Sequence, residues 1–292
     1  MAARPVRQSR DHDAALPQRP FFPTLLSMTT GTIRVGIGGW TFEPWRGTFY
    51  PDKWPHKREL EYAASRVTAI EINGTYYSSF KPQSFANWAA SVPDGFVFAV
   101  KASRYATNRK VLADAGESIA RFVGQGLVEL GDRLGPILWQ FMATKRFDAD
   151  DFGAFLNLLP PTHGGVALRH AVQVRHDSFA VPAFAEMCRA AGVAIVFADS
   201  AQHPAIAEVT APFVYARLEN AVEEEPAGYS PAALDRWAAM ARAWAAGEQP
   251  AELPRVTDAT PRREPRDTFV FLINGAKVRA PHGATALIER LA

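Results

Sequence analysis

A closed, parallel α/β barrel of eight strands is the fold class this sequence predicts, and two patterns predict it. The first is a set of eight short apolar runs, at 33–40, 69–73, 96–101, 136–141, 171–176, 194–199, 213–219 and 268–274. Runs of four to eight residues rich in Val, Ile and Phe suit strands buried on both faces. The second is the longer segments of helical composition between most of them, which mark repeated β-α units. Eight such units, closed on themselves, make a TIM-type (β/α)8 barrel, whose chemistry sits at the C-terminal ends of the strands. Nearly all of the runs end in a polar or charged residue, so the pattern that predicts the fold also predicts the working face.

The bulk properties agree with one such domain. At 292 residues the chain has the length of a single barrel, and 48% hydrophobic with 21% charged residues is an ordinary soluble composition. The formal net charge of +2 creates no global field for nucleic acid or an anionic membrane. No stretch approaches the roughly 18 apolar residues of a membrane span. The single cysteine, Cys188, cannot form an internal disulfide, which fits a reducing cytoplasm, and its neighbours Met187 and Ala190 mark it as a packing thiol. Residues 1–31, with Arg4, Arg7, Arg10 and Arg19 among prolines, read as a disordered N-terminal tail. Translation from Met28, five residues before the first strand, is an alternative to translation from Met1.

The first strand runs into Gly38-Gly39-Trp40. Position 41 is Thr where a dinucleotide fingerprint needs Gly, so these glycines turn the chain over the barrel mouth. An aromatic loop follows, with Trp40, Phe42, Trp45, Phe49, Tyr50 and Trp54; it lines a pocket, forms a lid, or packs as a small core of its own. A helix over 57–66 leads to strand two. There Glu71 and Asn73 share a face by alternation, and a glutamate on the inward face of a barrel strand needs a partner or a function. A helix over 82–91 precedes strand three, which delivers Lys101, a residue able to hold an anion, pair with Glu71 or form a Schiff base.

A helix over 117–134 is expected from apolar residues at 119, 122, 123, 127, 130 and 134, with Gly135-Pro136 stopping it. Strand four presents Gln140, and a helix over 148–159 follows. On strand five Gln173 and Arg175 share a face, with His176 at the end as an acid or base; the inward arginine calls for Glu71 as its partner. Strand six ends in Asp199, and strand seven carries Arg217 and then Glu219. The run Glu223–Glu225 is a solvated loop, the proline-rich stretch 249–267 a surface excursion, and helices over 231–246 and 280–291 complete the ring.

In order along the chain stand Gly38-Gly39-Trp40, Trp45-Arg46-Gly47, Phe49-Tyr50-Pro51, Glu71-Ile72-Asn73 with Tyr76-Tyr77, and Phe98-x-x-Lys101. Next come Gly135-Pro136-Ile137-Leu138-x-Gln140, Arg175-His176-x-Ser178, Ala198-Asp199-Ser200 and Tyr215-x-Arg217-Leu218. This series resembles the YecE-like family, domain of unknown function seventy-two. The resemblance implies one TIM-barrel domain over 32–292 and leaves the reaction open. The chain departs from the family pattern at Gln173 (usually Glu), Phe179 (usually Trp), Glu219-Asn220 (usually His-Gly) and Leu272-Ile273-Asn274 (usually Phe-Asn-Asn). A carboxylate lost and another gained point to a divergent substrate.

The site expected at the mouth therefore has Glu71, Asp199 and His176 as catalytic candidates. Asn73, Lys101, Gln140, Arg175, Arg217, Glu219, Trp40 and Tyr76 are its substrate-binding candidates. Acids and cations in one cup suit a metal-independent hydrolase, lyase or isomerase acting on a small polar or anionic substrate. The alternatives are a divalent-metal enzyme using Glu71, His176, Asp199 and Glu219, and a non-enzymatic small-ligand binder. Nucleic-acid binding through Arg104, Arg109 and Lys110 is weaker against the near-zero net charge. No motif names a cofactor or an oligomeric state.

Overall fold

The computed structural model describes residues 30–292, so the expected N-terminal tail and its Met28 start lie outside the described residues. Eight parallel strands close into a barrel: β1 Ile33–Gly38, β2 Ala69–Ile72, β3 Val97–Lys101, β4 Leu134–Gln140, β5 His170–Gln173, β6 Ala194–Asp199, β7 Phe213–Leu218 and β8 Asp267–Leu272. Closure comes from β8 pairing β1, with Ile33 opposite Thr268 and Ile37 opposite Leu272. A two-residue-per-strand hairpin, 162–163 with 166–167, lies before β5.

The barrel is filled by a size gradient. Ala69, Ala99, Ala171 and Ala194 face Phe213, Tyr215, Phe269 and Phe271 in one buried cluster, large residues from β7 and β8 entering the space left by small ones. Outward residues of the same strands meet the helices α1 Glu59–Ala64, α2 Pro82–Ala90, α3 Arg104–Thr107, α4 Gly116–Val123, α5 Ala149–Leu158, α6 Pro182–Ala191, α7 Pro231–Ala245 and α8 Ala280–Leu291. Phe197 on β6, for example, packs against Trp237 and Trp244 of α7. Among the described residues none of these helices is long and apolar enough to cross a membrane.

Three expectations are corrected. The helix expected over 117–134 ends at Val123, and a 3-10 segment, Leu127–Arg133, takes over. Gly126 at φ 120° and Gly131 at φ 55° break the α-helix while the apolar spacing continues across them. Strand four begins earlier than expected, at Leu134, because Gly135 lies flat against β3: a Cβ there would stand 2.7 Å from the Phe98 carbonyl oxygen. Strand five leaves the ladder at Gln173, so Arg175 and His176 stand on the turn beyond it. The 249–267 excursion is also anchored. Buried Glu208 accepts hydrogen bonds from the backbone N–H groups of Val256 (3.0 Å) and Thr257 (2.8 Å).

Candidate functional site

At the C-terminal end of the barrel the inward positions of five strands turn polar in one layer: Glu71 on β2, Lys101 on β3, Gln140 on β4, Gln173 on β5 and Arg217 on β7. Arg217 is the hub and is 1% exposed. Its Nε and Nη2 donate to the two Glu71 carboxylate oxygens at 3.1 Å each, a bidentate pair. Its Nη1 donates to Gln173 Oε1 and Glu219 Oε1, both at 2.6 Å. The Tyr215 hydroxyl donates to Glu71 Oε2 at 2.7 Å, and Gln140 Nε2 to Gln173 Oε1 at 2.6 Å. Glu219 also accepts from Gln173 Nε2 at 3.1 Å, so two of the positions that depart from the family pattern adjoin and share one guanidinium.

The partner expected for Glu71 was Arg175; the structure gives it Arg217. Alternation explains the choice, since Arg217 lies within β7 on its inward face, while Arg175 lies beyond the end of β5 and faces the cleft above. Burial by itself would push the Glu71 carboxyl up. The Arg217 guanidinium, then Lys101 and the Tyr215 hydroxyl, outweigh it and hold the carboxyl below its usual range. Buried Tyr215 is driven well above the ordinary phenol value by desolvation and by the Glu71 charge.

Above this layer opens a cleft of about 450 Å³ lined by Asn73, Tyr76, Lys101, Gln140, Arg175, Arg217, Asn274 and Lys277, among others. Three of its cations stand apart from the Arg217 network. Lys101 lies with Nζ 4.5 Å from the Tyr76 ring centroid, and burial, then the Arg217 charge, lower its pKa to about 8 against the pull of Glu71. Tyr76 is fixed in turn by a 2.9 Å hydrogen bond to its hydroxyl from Asn108. Arg175 has a buried Nε without a hydrogen-bond partner. Lys277 Nζ sits 4.5 Å from the Phe42 ring centroid. Among the described residues none of these three forms an ion pair; the carboxylates of the layer below, Glu71 and Glu219, are both held by Arg217.

Asp199 and His176 do not line this cleft. On β6 the inward face carries Ala194, Val196 and Ala198, so Asp199 follows Phe197 to the other side. There its oxygens accept from Asn220 Nδ2 (2.9 Å) and the Tyr229 hydroxyl (3.1 Å). Burial raises its pKa in spite of those bonds. His176 turns Nδ1 back to the Ser178 backbone N–H at 3.1 Å, capping a short 3-10 turn. Trp40 lines an adjoining slot instead of the cleft. Cys188 is buried, and desolvation raises its thiol. Among the described residues no three His, Cys, Asp or Glu side chains converge as a metal site requires.

The cleft is also lined by Lys277, which the sequence reading missed, and by Asn274, which it placed at the end of strand eight but not among the site candidates. Lys277 follows β8 on the 3-10 turn Lys277–Arg279, and its position three residues after the end of run 268–274 was its only signal. Half-buried His203, on the segment after β6, has its pKa lowered by burial and by the Arg175 charge.

A closed parallel barrel with a polar layer and a cationic cleft at its C-terminal mouth defines a TIM-barrel protein whose cleft lies at the end where that fold carries its sites. Residues 34–292 match the family described as protein of unknown function DUF72, and the chain belongs to that family. It is similar in structure to a DUF72 family protein, TM1631 of Thermotoga maritima, at a TM-score of 0.68 and 23% identity, covering 89% of this chain and 98% of that one. A second, EF0366 of Enterococcus faecalis V583, gives 0.63 and 17% over 90% and 98%. At these identities the likeness is one of fold. No curated protein matches the chain.

Proposed function

We propose that this protein is a metal-independent enzyme, a hydrolase, lyase or isomerase, that acts on a small anionic substrate in the cleft above Arg217. The observation that carries this reading is the separation of charges. Glu71 and Glu219 are engaged by Arg217, while Lys101, Arg175 and Lys277 face the cleft without carboxylate partners. A partly buried cation without a counter-ion is costly, and a bound phosphate or carboxylate offsets that cost. Arg175 supplies a planar fork whose Nε has no protein acceptor, the geometry that suits two anion oxygens. Asn73, Gln140 and Asn274 add amide groups that orient the rest of the molecule.

Lys101 is the group for proton transfer. With a pKa near 8 its ammonium gives up a proton far more readily than an ordinary lysine, and its neutral fraction accepts one. Glu71, kept anionic, acts as a positioning residue: it holds Arg217, and its charge limits the fall in the Lys101 pKa.

A thermal-shift screen against a metabolite panel, run with EDTA present and repeated on Arg175→Ala and Lys101→Met, tests this. Phosphates or carboxylates are expected to stabilise the parent protein and to lose that effect in both variants. Stabilisation by neutral compounds alone, or turnover that requires a divalent cation, would overturn the reading.

A further inference from the structure

The cationic cleft has a neighbouring cavity at the barrel mouth. This cavity is a slot of about 370 Å³ walled by Trp40, Phe42, Phe80 and Trp88. Gly38, Asn73 and Lys277 line both cavities, so the two adjoin. The aromatic walls are braced edge-on. Trp40 and Trp88 have centroids 5.5 Å apart at 74°, and Phe80 and Trp88 5.1 Å apart at 63°. This arrangement fixes the rings by packing against one another.

The border between the cavities is tight at Gly38. A Cβ on Gly38 would stand 3.0 Å from Asn73 Nδ2 and 3.1 Å from Ile273 Cδ1, at the seam. The next residue, Gly39, has φ +72° and no atom within 4 Å of its Cβ position, so the backbone borders open space. Lys277 stands at the junction with its ammonium against the Phe42 ring. The rest of the aromatic loop takes no part: Trp45 and Tyr50 are fully buried, and Trp45 Nε1 donates to the Lys277 carbonyl at 3.0 Å. That bond ties the loop holding Trp40 and Phe42 to the turn holding Lys277.

We propose that the substrate is an anion bearing a planar apolar ring, the anionic group on Lys101 and Arg175 and the ring in the slot against Trp40 and Trp88. The inference rests on the anion-site reading and adds the chemistry of the other half of the molecule. An apolar, half-enclosed slot next to an unpaired set of cations matches such a two-part ligand. A purely polar anion would leave the slot to water, and a neutral aromatic would leave the cations unpaired.

The test uses the full chain and three probes, methyl phosphate, phenyl phosphate and 1-naphthyl phosphate, titrated by calorimetry with tryptophan fluorescence followed in parallel. Burial of one ring gives an expected gain of at least about tenfold in affinity for the aryl phosphates over methyl phosphate. Trp88→Leu, with Trp88→Phe as the conservative second variant, is expected to cut that preference to under about threefold in the leucine variant while methyl phosphate binding stays within about twofold of the parent. The phenylalanine variant should keep most of the preference. Equal binding of all three phosphates, or an aryl preference that survives Trp88→Leu undiminished, overturns the two-part ligand and leaves the anion site standing. If none of the three binds, the anion site itself falls and the inference falls with it.

Discussion

Arg217 touches Glu71, Gln173 and Glu219 with its guanidinium, and that arrangement dictates what each neighbour is able to do. A buried bidentate pair is not a large net gain, because both charges leave water, but removal of one member strands the other. Glu71→Gln is therefore expected to lose about 3 kcal/mol of stability at neutral pH, measured by urea unfolding. Since the folded Glu71 carboxyl sits below its unfolded value, its contribution is complete above the ordinary carboxylate range and fades as pH falls through the folded value. The gap between parent and variant should shrink in acid; a gap that stays constant down to strongly acid pH would refute the pairing. Lys101 has its pKa lowered too, but there it is the charged form that the fold penalises. Its folded pKa of about 8 lies below the ordinary 10.5, so the unfolded chain binds more protons between those values and stability contributed at this site rises with pH across that window. Lys101→Met should look most favourable relative to the parent below pH 8 and lose that advantage towards pH 10.5, as read from unfolding midpoints across the range.

The elements place these residues by alternation and by glycine. Inward positions on β2, β3, β4, β5 and β7 deliver the polar layer, and the same rule sends Asp199 out beside Phe197. The second fact was open to reading from run 194–199, where Phe197 and Asp199 share a parity; choosing which parity faces inward required knowing that α7 covers Phe197. The break after α4 was less legible. Apolar spacing ran unbroken through 127, 130 and 134, and a 3-10 segment with two left-handed glycines kept that spacing while ending the α-helix. Gly126 shows how firmly the break is set: at φ +120° a Cβ would come 2.6 Å from Pro82 Cα. Gly126→Ala is expected to destabilise by more than about 2 kcal/mol through clash and backbone strain, checked by chemical denaturation. A loss under ~0.5 kcal/mol would mean that the segment relaxes easily.

On the scale of the whole molecule, a net charge of +2 hides a local excess of positive charge at one mouth of the barrel. An anion seated there bridges groups from β3, from the turn after β5 and from the turn after β8, elements spread around the closed ring. Binding to the folded state alone stabilises it by mass action, by about 2.7 kcal/mol at one hundred times the dissociation constant. Unfolding of the parent with phosphate at that excess should shift accordingly, and Arg175→Ala should show little of the shift. An unchanged midpoint in the parent would exclude binding at the mouth.

Eight apolar runs and their spacing determined the barrel from sequence alone, because burial on both faces leaves a strand few residue types to choose from. The polar run-ends likewise located the mouth and named most of its residues, Glu71, Lys101, Gln140, Arg175 and Arg217 among them. Membership of the DUF72 family was also legible, in motifs running from Gly38 to Leu218. Only the tertiary structure decided who pairs with whom: that Glu71 takes Arg217 and leaves Arg175 free, that Asp199 and His176 turn away, and that Lys277 and an aromatic slot join the cleft. The Glu71–Arg217 pair and the junction at Lys277 depend on contacts between residues more than a hundred positions apart, set by the register and curvature of a closed sheet, while the turns of Asp199 and His176 needed the inward parity and the end of β5 to be known.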